Sequence, residues 1–338
     1  MIDVSKGKIL LESRMGVEFE NGGVLNPACI EKDGIIHMFY RAVEKDNFST
    51  IGYCQIKDDK MVYRSDKPII FPEFEFESHG IEDPRVTFLG EQYYLFYTSF
   101  DGTSAQVAYA TSKDLISWTK KGLISSKMSY DKAEDIFRNS GVGEKYTFFE
   151  KVFRYERSDK VKLWEKDAML FPKKINGKFA LIHRVLPGIQ ICYFDSFDQL
   201  SKQKFWENYL KKLGQRVILE PKFEFENAYV GGGCVPLETE AGWLLIYHGV
   251  NLKDGIRTYS ALAALLNKND PQKIIGRLSS PLFVPSEKWE LEGVVNRVVF
   301  PTGLSLKGDQ LTIYYGAADS KIGFRKLSLS KLLGELKK

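Results

Sequence analysis

Apolar and aromatic positions along this chain come in short runs, each opened by a turn glycine and closed by a small or polar residue. Five copies stand out: "DGIIHMFYRA" from Asp33, "LGEQYYLFYTS" from Leu89, "NGKFALIHRV" from Asn176, "AGWLLIYHGV" from Ala241 and "KGDQLTIYYGAAD" from Lys307. Runs of this length, rich in Tyr, Phe, Ile and Val and bounded by glycine, predict β-strands. The turn glycines Gly34, Gly90, Gly177, Gly242 and Gly308 lie 56, 87, 65 and 66 residues apart. Such a period leaves room for about four strands per unit, the content of a propeller blade.

The flanking patterns repeat as well. A short strand precedes each copy ("NPACIE", "EDPRVTF", "KDAMLFPKK", "GGGCVPLET", "FPTGLSL") and a third follows ("IGYCQIKD", "VAYATSKD", "IQICYFDS", "YSALAALLNKND", "KIGFRKLSL"). A more polar outer strand, such as "KMVYRSDKPIIFP" or "SWTKKGLI", comes after four of the five. The fold expected is all-β: one domain over residues 1–338, a five-bladed β-propeller ending in a short C-terminal helix. The fifth repeat lacks an outer strand, so residues 8–14, "KILLESR", are expected to supply it and remove an exposed edge. Residues 127–165 break the rhythm as a charged, partly helical or irregular insertion, and "QLSKQKFWENYLKKL" (199–213) reads as one amphipathic helix.

Composition narrows the class. Hydrophobic residues make up 43% of 338, enough for a sizeable core, and the net charge of +4 is spread among mixed signs. No extended nucleic-acid footprint is expected. The four cysteines, Cys29, Cys54, Cys192 and Cys234, lie far apart in apolar stretches and read as buried thiols rather than a metal site. The opening "MIDVSKGKILLESR" has no apolar segment of the signal-peptide kind, and no run of about 18 apolar residues occurs. The expectation is a cytoplasmic protein without membrane contact, its homo-oligomeric state left open.

Radial blades bring their first strands around one axis. The residues opening those strands, and those ending the second strands, then line a shared funnel. Blade 1 contributes Asn26 and Arg41; blade 2 Glu82, Asp83 and Arg85; blade 3 Lys166, Asp167, His183 and Arg184; blade 4 Tyr247 and His248; blade 5 Asp319. His183 and His248 are read as falling at one place in successive repeats. His183 and Arg184 are adjacent and face opposite sides of a regular strand, so Arg184 is expected at the ligand. Taken singly, Asp83 also reads as a turn cap before Pro84. Lys166, Arg184 and His248 also read as framework ion pairs. Converging cations need an anion: a phosphate, or the neighbouring Asp83 and Asp167. Trp243 and the pairs Tyr93–Tyr94 and Tyr314–Tyr315 suit sugar stacking, but strand-core packing is the stronger reading.

The stretches "IEDPRVT", "EKDAMLFPKKINGKFALIHR", "GWLLIYHGV", "VVFPTGL" and "IYYGAADSKIG" together resemble glycoside hydrolase family 130, over roughly residues 20 to 325. That family holds mannoside phosphorylases and some β-mannosidases on a five-bladed propeller. The resemblance implies that Asp83 is the general acid, acting through a hydroxyl of the bound mannose. It further implies that Lys166, Arg184 and His248 hold phosphate; the other funnel residues, Asn26, Arg41, Glu82, Arg85, Asp167, Tyr247 and Asp319, are expected to contact the substrate. Two departures mark this chain: Gln106 stands where phosphorylases of the family often have Arg, and "GGGCVP" from Gly231 where many have "GAGPPP".

Two chemistries compete on these residues. Phosphate dianion is already a nucleophile, so inverting phosphorolysis needs one acid and a cationic cradle. Inverting hydrolysis needs a second carboxylate to activate water, roughly 6.5–9.5 Å from the acid. Glu226 is the best base candidate, while Glu73, Glu75, Glu77 and Glu224 alternate with Phe and read as the wet face of outer strands. The expectation is a β-mannoside phosphorylase taking inorganic phosphate as co-substrate and no other cofactor or metal. The alternatives are an inverting β-mannosidase using Glu226, and a non-catalytic carbohydrate-binding or interaction propeller.

Overall fold

The computed structural model describes residues 2–148 and 161–338. Its strands form five separate antiparallel sheets, one per sequence repeat. Blade 1 runs Gly23–Lys32, Ile35–Val43, Ser49–Lys57 and Lys60–Arg64; blade 2 Ile81–Leu89, Gln92–Phe100, Ala105–Ser112 and Thr119–Leu123. Blade 3 runs Lys166–Leu170, Phe179–Arg184, Ile189–Phe194 and Val217–Leu219. In blade 4 the first strand is split into Tyr229–Gly232 and Leu237–Thr239, both paired with Gly242–Lys253, and Ile256–Leu266 and Ile274–Arg277 follow. Blade 5 consists of Val299–Lys307, Gln310–Ala317 and Lys321–Ser328, and Lys8–Leu11 completes it by pairing antiparallel with the last of these. The expected closure by the N-terminal segment is therefore present, over Lys8–Leu11.

The core is divided among the wedges between neighbouring blades. Phe39, Tyr53, Leu95 and Tyr97 fill the wedge between blades 1 and 2, and Ile182, Ile191, Leu245 and Leu262 that between blades 3 and 4. Trp243 and Tyr315 are buried in such wedges, so core packing accounts for them. The C-terminal helix Leu329–Leu336 buries Leu332 and Leu336 against blades 4 and 5. All four cysteines are free. No helix among the described residues is long and apolar enough to cross a membrane.

One of the helical elements differs from the sequence reading. Residues 199–213 do not form one helix: Phe197–Leu200 ends, Gln203–Leu210 begins, and a 3-10 turn spans Leu213–Arg216. Side chains take over the backbone groups at the break: Ser201 Oγ donates to Asp198 O (2.9 Å) and Trp206 Nε1 to Leu200 O (2.8 Å). In the insertion, Tyr130–Phe137 is helical and packs on blade 3. Residues 149–160, part of the same expected insertion, lie outside the described residues.

Candidate active site

The residues at the funnel owe their placement to a repeated backbone device. The inner strands of blades 1, 2 and 3 each slip register near their start, between Leu25 and Ala28, Glu82 and Arg85, and Lys166 and Met169. Inside each slip one residue is left-handed: Asn26 (φ 50°), Asp83 (φ 52°) and Asp167 (φ 56°). Asn and Asp tolerate this conformation best after glycine, and a bulge re-aims a side chain that a flat strand would alternate. Pro27 and Pro84 follow two of them; lacking an N–H, they sit where the ladder is already interrupted. The charges at the mouth of blade 2 are thus turned toward the axis.

Two linked clusters result. In the first, Asn26 Nδ2 donates to Asp83 Oδ1 at 2.7 Å. Glu82 receives Arg41 Nη2 at 2.9 Å and Lys166 Nζ at 2.8 Å, and Arg41 Nη1 lies 4.0 Å from Asp83. Burial opposes the charge on Glu82, but Arg41 and then Lys166 outweigh it and bring its pKa down to about 2. Asp319 joins from the turn after the second strand of blade 5. Its burial, reinforced by Asp83 and Glu82 against the pull of Arg41 and Lys166, raises its pKa to about 6.

In the second cluster, Arg184 Nη1 lies 3.0 Å from Asp167 Oδ2 and 3.4 Å from His248 Nε2. Burial, with Arg184 and Arg85 close by, holds His248 well below its ordinary pKa, so the ring is neutral and accepts from Arg184. Gly231 permits this approach: a Cβ there would stand 2.3 Å from the His248 ring and 2.4 Å from Asp167 Oδ2. Lys166 and Arg184 are Cα partners across their strands, so Lys166 joins the two clusters, with its charge on Glu82 in this structure. Arg41 Nε and Arg184 Nε are buried with no acceptor among the described residues.

Ten of the residues expected at the axis are brought there: Asn26, Arg41, Glu82, Asp83, Arg85, Lys166, Asp167, Arg184, His248 and Asp319. Arg85 differs in kind. It is wholly buried, and its guanidinium donates to the carbonyls of Gly233, Gly232, Asp83 and Pro84, so it braces the bulges rather than facing a ligand.

Tyr247 and Glu226 do not join the site. Tyr247 faces the wedge between blades 3 and 4, opposite to His248. Glu226 ends a 3-10 turn, Glu224–Glu226, where it accepts the N–H groups of Lys222 and Phe223, the Tyr247 hydroxyl (3.3 Å) and Arg277 Nη2 (2.6 Å). Glu77 is likewise buried in a turn, against Tyr97 and Lys120, so neither "FEFE" stretch is a wet strand face. His183 is also elsewhere: Arg184 meets His248, whereas His183 and Tyr247 each turn to a buried glutamate.

Three aromatic residues not singled out in the sequence complete the second cluster. The Phe300 ring lies 4.3 Å from that of His248, Arg184 stacks over Tyr229 at 5.4 Å, and the hydroxyls of Tyr229 and Tyr259 meet at 2.5 Å. Phe300 and Tyr229 sit near the starts of their inner strands, in the positions the repeat had marked for the axis.

A five-bladed propeller that gathers carboxylates, arginines, a lysine and a neutral histidine at one end of its axis is the framework of a sugar-processing enzyme. Residues 11–338 match the family model of glycoside hydrolase family 130, described as beta-1,4-mannooligosaccharide phosphorylase, and the chain belongs to that family. It is 33% identical over 326 residues, 93% of each chain, to a 1,2-beta-oligomannan phosphorylase of Thermoanaerobacter sp. (strain X514). It is 32% identical over 332 residues, again 93% of each, to a beta-1,2-mannobiose phosphorylase of the same strain. Its fold superposes with a TM-score of 0.73 on that of the beta-1,2-mannobiose phosphorylase from Listeria innocua, at 24% identity and over 97% of both chains.

Proposed function

We propose that the protein is an inverting β-mannoside phosphorylase, acting on short β-linked manno-oligosaccharides, with β-1,2 linkages the first to test. The observation that carries this reading is the basic cluster next to the acid cluster of Asp83: Arg184 against neutral His248, joined through Lys166 to Glu82. Phosphate placed there attacks the anomeric carbon on the face opposite the leaving sugar. The C1–O bond breaks, its electron pair passes to the leaving oxygen, and Asp83 supplies the proton through a hydroxyl of the bound mannose. The β-mannoside becomes α-mannose 1-phosphate. Arg41, Lys166 and Asn26 fix the carboxylates, and Asp319 offers a polar group to the sugar. A hydrolytic reading loses the base the sequence offered it, because Glu226 is buried in its own turn. The relatives whose names specify β-1,2-linked oligomannan or mannobiose support the linkage.

Steady-state kinetics on three variants test this. Asp83→Asn should lower kcat by roughly 10²–10⁴-fold. Lys166→Ala and Arg184→Ala should raise the apparent KM for phosphate far more than that for the mannoside. Near-wild-type turnover by Asp83→Asn, or equal changes in both KM values, would count against the reading.

A further inference from the structure

One position in the second strand of every blade meets a buried glutamate. In blades 1–3 it directly precedes the residue paired with the start of the inner-strand bulge, and in blades 4 and 5 it is itself paired at the start of the break or bulge. The pairs are Tyr40 with Glu20 (2.7 Å), Tyr97 with Glu77 (2.7 Å), Tyr247 with Glu226 (3.3 Å) and Tyr315 with Glu290 (2.5 Å). In blade 3 it is His183 with Glu165 (3.0 Å). All five glutamates are almost wholly buried. In four blades an arginine or lysine balances the carboxylate: Arg64, Lys120, Arg277 and Arg325. Among the described residues no arginine or lysine pairs with Glu165.

The contacts around His183 point to what replaces that cation. The Tyr209 hydroxyl has one proton and donates it to Ile191 O at 3.2 Å. Its oxygen lies 2.7 Å from His183 Nε2, so Nε2 is the donor in that contact. Nδ1 lies 3.0 Å from a Glu165 oxygen without the alignment of a hydrogen bond, a close approach that a charged ring stabilises and a bare lone pair would not. Of the other titratable groups packed here, Arg216 and Arg184 are cationic, but neither pairs with Glu165. Burial, then Cys192 and Glu165, push Tyr209 far above its ordinary value, and burial raises the Cys192 thiol. Trp206 and Gln190 are neutral. Arg216 and Tyr146 approach from the side of Tyr209, and Arg184 is the next residue along the strand.

We infer that His183 carries both ring protons and is the counter-charge of Glu165, and that this pair positions the anion-binding side chains. Glu165 precedes Lys166 and Asp167, and His183 precedes Arg184, so the pair anchors both strand ends that bear the cradle. The second oxygen of Glu165 accepts Ser126 N–H at 2.7 Å, and Gln106 Nε2 donates to Ser126 O at 2.9 Å. The start of the insertion is thereby tied to the same device. A buried pair tolerates loss of one partner poorly, and a shift of either strand end would separate Arg184 from His248.

The positioning half rests on the phosphorylase reading; the protonation half does not. Long-range proton–nitrogen NMR of the wild-type protein at pH 7 reads the ring directly. The chain has four histidines, and variants at His37, His79 and His248 leave the His183 signals by elimination. Two protonated ring nitrogens are expected, and the pattern of a neutral tautomer would overturn the inference without any variant at position 183 having to fold. His183→Tyr then restores the side chain of the other blades without the charge. It should raise the phosphate KM by roughly tenfold, the scale on which groups orienting a binding side chain act, with the mannoside KM little changed. A wild-type phosphate KM in folded His183→Tyr would overturn the positioning half. If the wild-type enzyme cleaved mannosides with no need of phosphate, the functional reading would fail while the NMR result stood.

Discussion

Asp319 lies in the acid cluster but is held differently from its neighbours. Glu82 is fixed as an anion by two cations, whereas burial and two nearby carboxylates raise Asp319 to about 6 from an ordinary 3.8. Because its folded-state pKa lies above the unfolded one, it favours the folded protein below about pH 4, and that contribution is lost as pH rises through about 6. Asp319→Asn should accordingly raise Tm relative to wild type at pH 8 and leave it unchanged near pH 4. A Tm difference independent of pH would show that the carboxyl is not strained by its neighbours. At this scale the sequence was informative where a residue type was demanded by backbone geometry. Asn26, Asp83 and Asp167 recur because left-handed bulges favour Asn and Asp. It was silent on Phe300, Tyr229 and Tyr259, whose aromatic rings are indistinguishable in a sequence from core residues.

Among elements, the "FEFE" stretches show how a local pattern misleads. Alternation of Phe and Glu at period two is the mark of a half-exposed strand, yet 3-10 turns Glu75–Glu77 and Glu224–Glu226 form instead. The last glutamate of each is drawn inward because a tyrosine and a cation from the adjoining blade satisfy it. That information is long-range and absent from the local period. Glu226→Gln should then act on stability and not on chemistry. Leaving the Arg277 guanidinium without its anion should cost about 3 kcal/mol, seen as a lower Tm, with turnover per folded molecule near wild type. Abolished activity in a fully folded Glu226→Gln protein would return this residue to the reaction. The one-residue slip between His183 and His248 had a similar origin: only the long-range contacts show that Arg184 is the residue meeting His248, while His183 and Tyr247 each turn to a buried glutamate.

For the molecule as a whole, the repeat was legible from the glycine-opened runs, and the missing outer strand of the last repeat pointed to closure by residues 8–14. The structure uses Lys8–Leu11, with Ser5 adding backbone contacts to Lys326. Removing residues 2–11 should expose the edge of Lys321–Ser328. Losing several strand hydrogen bonds at about 1 kcal/mol each should lower Tm and promote self-association on size-exclusion chromatography; an unchanged Tm would mean the ring does not depend on this closure. The ring matters to function because the two clusters are assembled from all five blades, so no smaller part of the chain contains the site. The most direct test of the account is to incubate the protein with β-1,2-mannobiose, with and without inorganic phosphate, and follow the first product by proton NMR. The account predicts α-mannose 1-phosphate, formed only when phosphate is present. Free mannose released at the same rate without phosphate, or a β-phosphate as the initial product, would contradict it.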